Sequence, residues 1–208
     1  VLNVATSAKT AGNSYFGLAI GFTLGGAVFS GGWTFEAAEA VIGESEALDG
    51  LAGLVNKSLV VVEERETEMR YFMLETIRQY AREKLAEHGE SESIRNRHME
   101  YFCQLVERIE PGLRGPDQVI LLDSLETELD NLRATLERAL GHDLPAGLRL
   151  ASRLRWFWHL RNHWSEGTGW LDKLLSVEAG QPSFRSDSDS GSFDRAKALL
   201  ALSYLVGL

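Results

Sequence analysis

The chain has 208 residues, of which 44% are hydrophobic and 25% are charged, so it can bury a core and suits one or two domains. Its formal net charge of −9 argues against a nucleic-acid footprint spread over the whole surface. The single cysteine, Cys103, excludes an internal disulfide, so nothing in its chemistry requires an oxidising compartment.

The first 28 residues form an apolar, glycine-rich segment. Lys9 is the single charged residue before Trp33, and Gly17, Gly21 and Gly25 are spaced four residues apart. Small residues at this interval allow helices to approach closely in a bilayer. The apolar run of residues 15–29 is nevertheless about fifteen residues long, whereas a helix needs ~20 residues to cross a bilayer.

Residues 3–26, NVATSAKTAGNSYFGLAIGFTLGG, resemble a fragment of bacterial aquaporins. The Asn-Pro-Ala signature of that family is absent from the chain, so a water channel is excluded. A membrane anchor and a secretory signal peptide are two interpretations of this segment, the second because Lys9 precedes the apolar run. The third is a joint between unrelated genes near residues 25–28, and it is the hypothesis we favour.

Residues 29–90 carry the order helix, helix, hairpin, helix. The segment FEAAEAVIG, residues 35–43, is rich in alanine and predicts a helix with Thr34 as its N-cap. The next segment, residues 48–58, predicts a second helix. Its apolar face is formed by Leu48, Leu51, Leu54 and Val55.

A β-hairpin and a closing helix follow. The β-branched run of residues 60–62 and the apolar run of residues 71–74 predict two strands, and the charged tract of residues 63–70 predicts the turn between them. The closing helix ends at Gly89, with His88 near the negative end of its dipole. Its apolar residues are Leu74, Ile77, Ala81 and Leu85. This order is the one that a winged-helix domain requires.

From residue 91 onward the pattern predicts amphipathic helices separated by short breaks. The first has its apolar stripe at Ile94, Met99, Phe102, Val106 and Ile109, and the next has it at Val119, Leu122, Leu125, Leu129, Leu132, Leu136, Ala139 and Leu140. Pro111-Gly112 stops the first helix, and Gly141 ends the second stripe. Paired helices of this kind cannot bury their faces alone, which suggests a solenoid.

The segment from Pro145 to Val177 predicts a helical hairpin about as long as one tetratricopeptide unit. An alanine- and leucine-rich helix from Asp194 would begin the next unit. The polar, serine-rich residues 180–193 between them are typical of an exposed loop or short linker. The predicted fold is therefore mainly α, with an apolar segment at residues 1–28, a winged helix at 29–90 and tetratricopeptide-like repeats at 91–208.

Five stretches of the chain together resemble one family. They are VFSGGWTFEAAEAV, LVNKSLVVVE, RYFMLETIRQYAREKLAEHGE, PGLRGPDQ and ETELDNLRATLERAL. Their order is similar to the region that follows the ATPase core in large bacterial signal-transduction ATPases of the STAND type, and the similarity covers roughly residues 28–208. Many members of that family are transcriptional activators.

The resemblance implies a fragment of an ATP-dependent regulator, in which the helical repeats sense a protein or peptide effector. It also implies that the winged helix packs against a nucleotide-binding module and couples effector binding to nucleotide exchange. The chain itself contains no G-x-x-x-x-G-K-[ST] phosphate loop, so ATP or ADP is expected in a module outside it. Both chain ends look like cuts. No catalytic motif is present, and we do not expect an enzyme.

The second helix and the hairpin carry charges that would repel DNA. Acidic residues there are Glu44, Glu46, Asp49, Glu63, Glu64, Glu66 and Glu68, against the basic residues Lys57, Arg65 and Arg70. Because duplex binding needs Lys and Arg to neutralise phosphates, we do not expect direct DNA contact by this domain. The resembled family is cytoplasmic. The alternative is a membrane-tethered repeat scaffold, which requires residues 1–30 to be genuine.

Two residue groups invite sharper interpretations. His159 and His163 lie four residues apart with Glu166 nearby, a spacing compatible with zinc, but two polar positions near a helix end are the simpler interpretation and no metal is expected. The aromatic cluster of Trp156, Phe157, Trp158, Trp164 and Trp170 favours a core between paired helices. A peptide groove or a stacking platform for bases is the alternative, and Trp156, Trp164 and Trp170 are the candidate partner surface.

Overall fold

A computed structural model describes residues 26–65, 68–87, 91–180 and 189–207, with backbone only for residues 44–46 and 189–192. The chain divides into two compact units, one ending at Tyr101 and the other beginning at Phe102. The expectations for residues 1–25 lie outside the described residues. The domain boundaries that the sequence predicts at residues 28 and 90 stay predictions.

The first unit contains a small sheet and short helices in winged-helix order. Its elements are β1 (Trp33–Thr34), α1 (Phe35–Ile42), α2 (Glu44–Asn56), β2 (Val60–Glu64), β3 (Met69–Met73) and α3 (Glu75–Glu87). The antiparallel sheet has the order β1-β3-β2, with Trp33 opposite Tyr71 and Val60 opposite Met73. The predicted hairpin and the predicted mainly helical class with a winged helix are confirmed.

Local chemistry fixes the start of this unit. The Thr34 side chain accepts a hydrogen bond from the Ala37 amide at 3.1 Å, which confirms it as the N-cap of α1. Gly43 has a φ of 124°, a conformation that favours glycine, and it is the single residue between the end of α1 and the start of α2. Phe29 and Trp33 are buried and stack with ring centroids 5.2 Å apart, so the core begins ahead of α1.

Three details of the first unit differ from the sequence expectation. The strands extend into the charged tract, because β2 continues to Glu64 and β3 begins at Met69. Leu48 is 64% exposed because the buried face of α2 runs through Ala47, Leu51 and Leu54, one helical position away from it. Leu74 is also exposed, because it precedes α3 and does not lie on its face. The expected cap at residues 88–89 lies outside the described residues.

The second unit is helical throughout its described ranges. It begins within α4 (Ser91–Ile109) and continues through a 3₁₀ turn (Glu110–Arg114), α5 (Gln118–Thr127), α6 (Leu129–His142), α7 (Leu144–Arg153), α8 (Arg155–Leu160), α9 (Trp164–Gly180) and α10 (Asp189–Val206). Helix α7 packs against α6, α9 and α10, and α9 also packs against α10. The core therefore lies around α7.

The second unit also corrects two expectations. Val119 is exposed, because α5 buries Leu122 and Leu125 on a different face. Helix α10 starts at Asp189, so residues 189–193 are helical where a linker was expected. Asp194, which follows them in the same helix, is buried and binds Arg149 at 2.9 Å. Residues 181–188 lie outside the description.

Within the described ranges, no helix combines the length and the apolar character that a membrane span requires.

Candidate interaction surfaces

The outer face of α2 and the hairpin forms the first candidate surface, which we call the α2–hairpin surface. The residues of α2 that face solvent include Leu48, Asp49, Ala52 and Asn56. On and beside the hairpin, the exposed charged residues that the structure describes are Lys57, Glu63, Glu64, Arg65 and Glu68. This surface is thus partly apolar and carries more acidic than basic groups. The side chains of Glu44, Glu46 and Glu66 lie outside the description.

Arg70 lies inside the first unit, although the sequence placed it among the cations of the hairpin. It is 1% exposed, and its Nη2 donates a hydrogen bond to the Gly32 carbonyl oxygen at 2.8 Å. Its Nη1 lies 3.3 Å from Glu68 Oε1. Because this guanidinium ties β3 to the segment before β1, its charge is directed inward and does not reach a ligand on the hairpin.

Helix α3 shows the same inward use of arginine. Arg78 donates to the carbonyl oxygens of Phe29 and Ser30, and Arg82 Nε donates to that of Ala27 at 2.9 Å. Burial, followed by repulsion from Arg95, lowers the pKa of Arg82 from its ordinary value. These cations fix the backbone ahead of β1.

The second candidate surface is built around Trp156, and we call it the Trp156 patch. The Trp156 ring lies 5.3 Å from Tyr204 and 6.0 Å from His159. The guanidinium carbons of Arg114 and Arg155 lie 4.5 and 5.9 Å from the same indole ring. Three chain segments, the 3₁₀ turn, α8 and α10, therefore meet at one half-buried tryptophan.

The structure separates the predicted aromatic cluster into core and surface. Phe157 and Trp158 are buried, as the core interpretation expected. Trp164 is half-buried beside the patch, where its Nε1 donates to the His159 carbonyl oxygen at 2.9 Å. Trp170 is also half-buried, but it lies under Lys173 Nζ at 5.0 Å and makes no ring contact with the other two within the described residues. The structure thus joins two of the three predicted surface tryptophans.

Sequence reasoning missed Arg114 and Tyr204. Arg114 ends the 3₁₀ turn, and Tyr204 lies on α10, so both are far from Trp156 along the chain. No local spacing predicts a contact between residues that separate helices bring together.

The histidines of the possible zinc spacing serve other contacts. His163 Nε2 lies 3.0 Å from Glu126 Oε1, and its ring stacks on Phe157. Glu166 accepts two hydrogen bonds of 2.7 Å from Arg133, and these hydrogen bonds are the main cause that lowers the pKa of Glu166. In the described part of the chain, no three acidic, histidine or cysteine side chains come together as a metal site.

Cys103 is a poor nucleophile in this fold. Burial raises the pKa of its thiol to about 11, so the thiolate is scarce near neutral pH.

Comparison with known proteins supports the winged-helix fold of the first unit. Residues 26–86 match the family of winged helix-turn-helix domains. Provisionally named HTH-type transcriptional regulators of Mycobacterium bovis and of Mycobacterium tuberculosis strain H37Rv are each 38% identical over 156 residues. These matches cover 72% of this chain and 17% of each relative.

An uncharacterized protein of Mycobacterium tuberculosis strain H37Rv is 36% identical over 95 residues, which cover 43% of this chain and 24% of that relative. No solved structure matches the chain. The chain spans only 17% of the length of the regulators that it matches. It contains a winged helix-turn-helix domain at residues 26–86 and is homologous to mycobacterial proteins named as HTH-type transcriptional regulators.

Proposed function

We propose that this chain is a region of a bacterial ATP-dependent transcriptional regulator, and that both of its units act through protein contacts. The names of its mycobacterial relatives support a role in transcriptional regulation. We choose protein contacts over DNA contacts because of one observation, the composition of the α2–hairpin surface. Acidic and apolar side chains are the majority there, and Arg70 is buried.

Electrostatics favours a protein partner for this surface. A winged helix that reads DNA needs cations against the phosphates and donors against base edges. The exposed face of α2 offers Leu48 and Ala52 beside Asp49, and the adjacent strand β2 ends in Glu63 and Glu64. Exposed apolar side chains beside acidic ones suit a protein partner better than a phosphate backbone.

The partner of the α2–hairpin surface is the nucleotide-binding module of the same polypeptide. This assignment follows the resemblance to signal-transduction ATPases, in which ATP or ADP binds outside the region that this chain represents. Contact of the winged helix with the module would hold the regulator in its closed state. Effector binding on the helical unit would release that contact and permit nucleotide exchange.

The second unit serves as a tetratricopeptide-like array. In support, α7 packs against α9, and α10 packs against both, which is the contact pattern of stacked helical hairpins. The half-buried Trp156 and Trp164 are its proposed contact points for a protein or peptide effector, because partly exposed tryptophans are common anchors of interfaces.

Photocrosslinking tests the proposed partner of α2. A benzophenone amino acid replaces the exposed Ala52 in the full-length regulator that carries this region, and a matched variant carries it at the exposed Gln79 of α3. We expect Ala52 to crosslink to the nucleotide-binding module of the same chain and Gln79 to do so much less. Crosslinking of position 52 to promoter DNA would overturn the proposal.

A DNA-binding winged helix is the second candidate, because the matched domain family is a winged helix-turn-helix. Fluorescence anisotropy of a labelled duplex distinguishes the two candidates. If the surface contacts protein, we expect the chain to bind the duplex with a dissociation constant above about 100 µM at physiological salt. Tight, sequence-dependent binding with a steep salt dependence would support the DNA-binding candidate instead.

A further inference from the structure

We propose that the Trp156 patch binds an acidic peptide segment, with Arg114 and Arg155 receiving its carboxylates and Trp156 and Tyr204 receiving a neighbouring apolar side chain. This inference rests on the proposed function, because it gives the chemistry of the effector that the second unit would bind.

The positive charges of Arg114 and Arg155 in the patch are not neutralised by acidic side chains of the described residues. Neither Arg114 nor Arg155 forms an ion pair with a carboxylate within the described part of the chain, although the formal net charge of the chain is −9. Nearby Arg153, in contrast, binds both Glu107 at 2.5 Å and Glu110 at 3.4 Å. In an acidic protein, two arginines that attract no acidic side chain of their own form a local site for external carboxylates.

Stacking prepares these guanidinium groups for binding. A guanidinium that lies over an indole uses its face and leaves the N–H groups along its edge available for a carboxylate. The ring also limits the movement of the arginine, so less side-chain entropy is lost when the carboxylate binds. Arg114, with its guanidinium carbon 4.5 Å from the Trp156 ring, is the better placed of the two.

The aromatic floor of the patch suits a peptide. Trp156, His159 and Tyr204 lie with ring centroids 5.3 to 6.0 Å apart, and Trp164 adjoins His159. An apolar side chain flanked by carboxylates would complement this arrangement.

A nucleic acid fits this surface less well. The three arginines that interleave with the tryptophans in sequence are Arg153, Arg155 and Arg161. Arg153 is neutralised by two glutamates and Arg161 by Asp123, so Arg155 and Arg114 are the two arginines of the described patch that remain for a phosphate backbone. A single strand needs a longer track of cations along its successive phosphates.

Fluorescence anisotropy with the complete 208-residue chain tests the inference. The probes are a labelled short peptide of Glu and Asp around a central Phe, the same peptide with Gln and Asn in place of the acids, and a labelled oligo-dT. The variant Arg114→Gln/Arg155→Gln removes both guanidinium groups that lie over the Trp156 ring. The matched control, Lys173→Gln/Lys197→Gln, removes two cations that also lie over aromatic rings, those of Trp170 and Phe193.

We expect the acidic peptide to bind at least about tenfold more tightly than its neutral form, and the arginine variant to lose that preference. The control should change affinity less than about twofold. Equal losses in both variants would overturn the inference in favour of nonspecific charge attraction, and tighter binding of oligo-dT through the same arginines would overturn it in favour of nucleic acid.

The neutral peptide separates this inference from the proposed function. Equal binding of the acidic and neutral peptides, with loss of both in Trp156→Ala, would overturn the acidic preference and leave the partner surface intact. Circular dichroism of each variant confirms that its helices remain folded. Absence of binding by both peptides would overturn the acidic-peptide inference, whereas the crosslinking at Ala52 would still decide the role of the first unit.

Discussion

Arg70 combines a full charge with nearly complete burial, and its contacts account for that combination. The hydrogen bond to the Gly32 carbonyl oxygen and the contact with Glu68 replace the water that the guanidinium has lost. We expect Arg70→Gln to lower the free energy of unfolding by about 2 kcal/mol, because the shorter amide cannot span both contacts. Urea denaturation followed by circular dichroism measures the loss.

Arg65 provides the control for this prediction. It lies on the same hairpin, but 45% of its side chain is exposed and its distance to Glu63 is 3.7 Å. Arg65→Gln should change the stability by less than about 0.5 kcal/mol. Similar losses for the two substitutions would contradict the structural role of Arg70.

Two glycines of α9 separate helix propensity from packing. A Cβ on Gly167 would lie 2.4 Å from the ring of the buried Trp158, whereas a Cβ on Gly169 would meet nothing within 4 Å. Gly169→Ala should stabilise the chain by about 0.5–1 kcal/mol through helix propensity. Gly167→Ala should destabilise it by about 1–3 kcal/mol, because Trp158 must move. Thermal unfolding of both variants checks the opposite signs, and stabilisation by both would show that Trp158 yields without cost.

At the scale of elements, hydrophobic periodicity predicted the order of helices and strands, since burial of one face is a local property of the sequence. It assigned Leu48 and Val119 to the buried face of their helices, but both are exposed. Each helix has other apolar residues nearby, and tertiary packing buries those instead. The Trp156 patch could be predicted only as a group of tryptophans. Its arginines and Tyr204 come from separate elements, and sequence spacing carries no information about their distances.

The ion pair of Arg133 and Glu166 joins α6 to α9. Because hydrogen bonds from Arg133 lower the pKa of Glu166, the ionised carboxylate stabilises the folded state above the ordinary glutamate pKa of 4.5. This contribution disappears as the pH falls through the lowered pKa. Glu166→Gln should therefore cost about 1 kcal/mol at pH 7 and less near pH 3, which lies below the ordinary glutamate pKa. Urea denaturation at both pH values measures the difference.

Asp130 gives the matched comparison for this pair. It binds the same arginine at 3.0 Å, but it lies on α6 itself and is 62% exposed. Asp130→Asn should cost less than about 0.5 kcal/mol at either pH. An equal loss of stability for Glu166→Gln at pH 7 and pH 3 would mean that the packing of the side chain, and not its charge, stabilises the fold.

At the scale of the whole molecule, two properties disfavour DNA binding: the net charge of −9, which belongs to the entire chain, and the acidic hairpin, which is local. Two charge variants separate their effects. Glu63→Lys/Glu64→Lys changes the charge of the exposed hairpin, and Asp117→Lys/Glu137→Lys makes the same change at exposed positions of the second unit. Both variants bring the formal net charge from −9 to −5. They differ only in where the new cations lie.

If the α2–hairpin surface retains the docking geometry of a winged helix, cations there would face the phosphates of a duplex. We therefore expect the hairpin variant to bind labelled duplex DNA at least about tenfold more tightly than the second-unit variant, with a steeper salt dependence. Anisotropy titrations at two salt concentrations measure both quantities. Equal gains would mean that total charge alone governs DNA affinity, and the acidic hairpin would then give no reason to assign this surface to a protein partner.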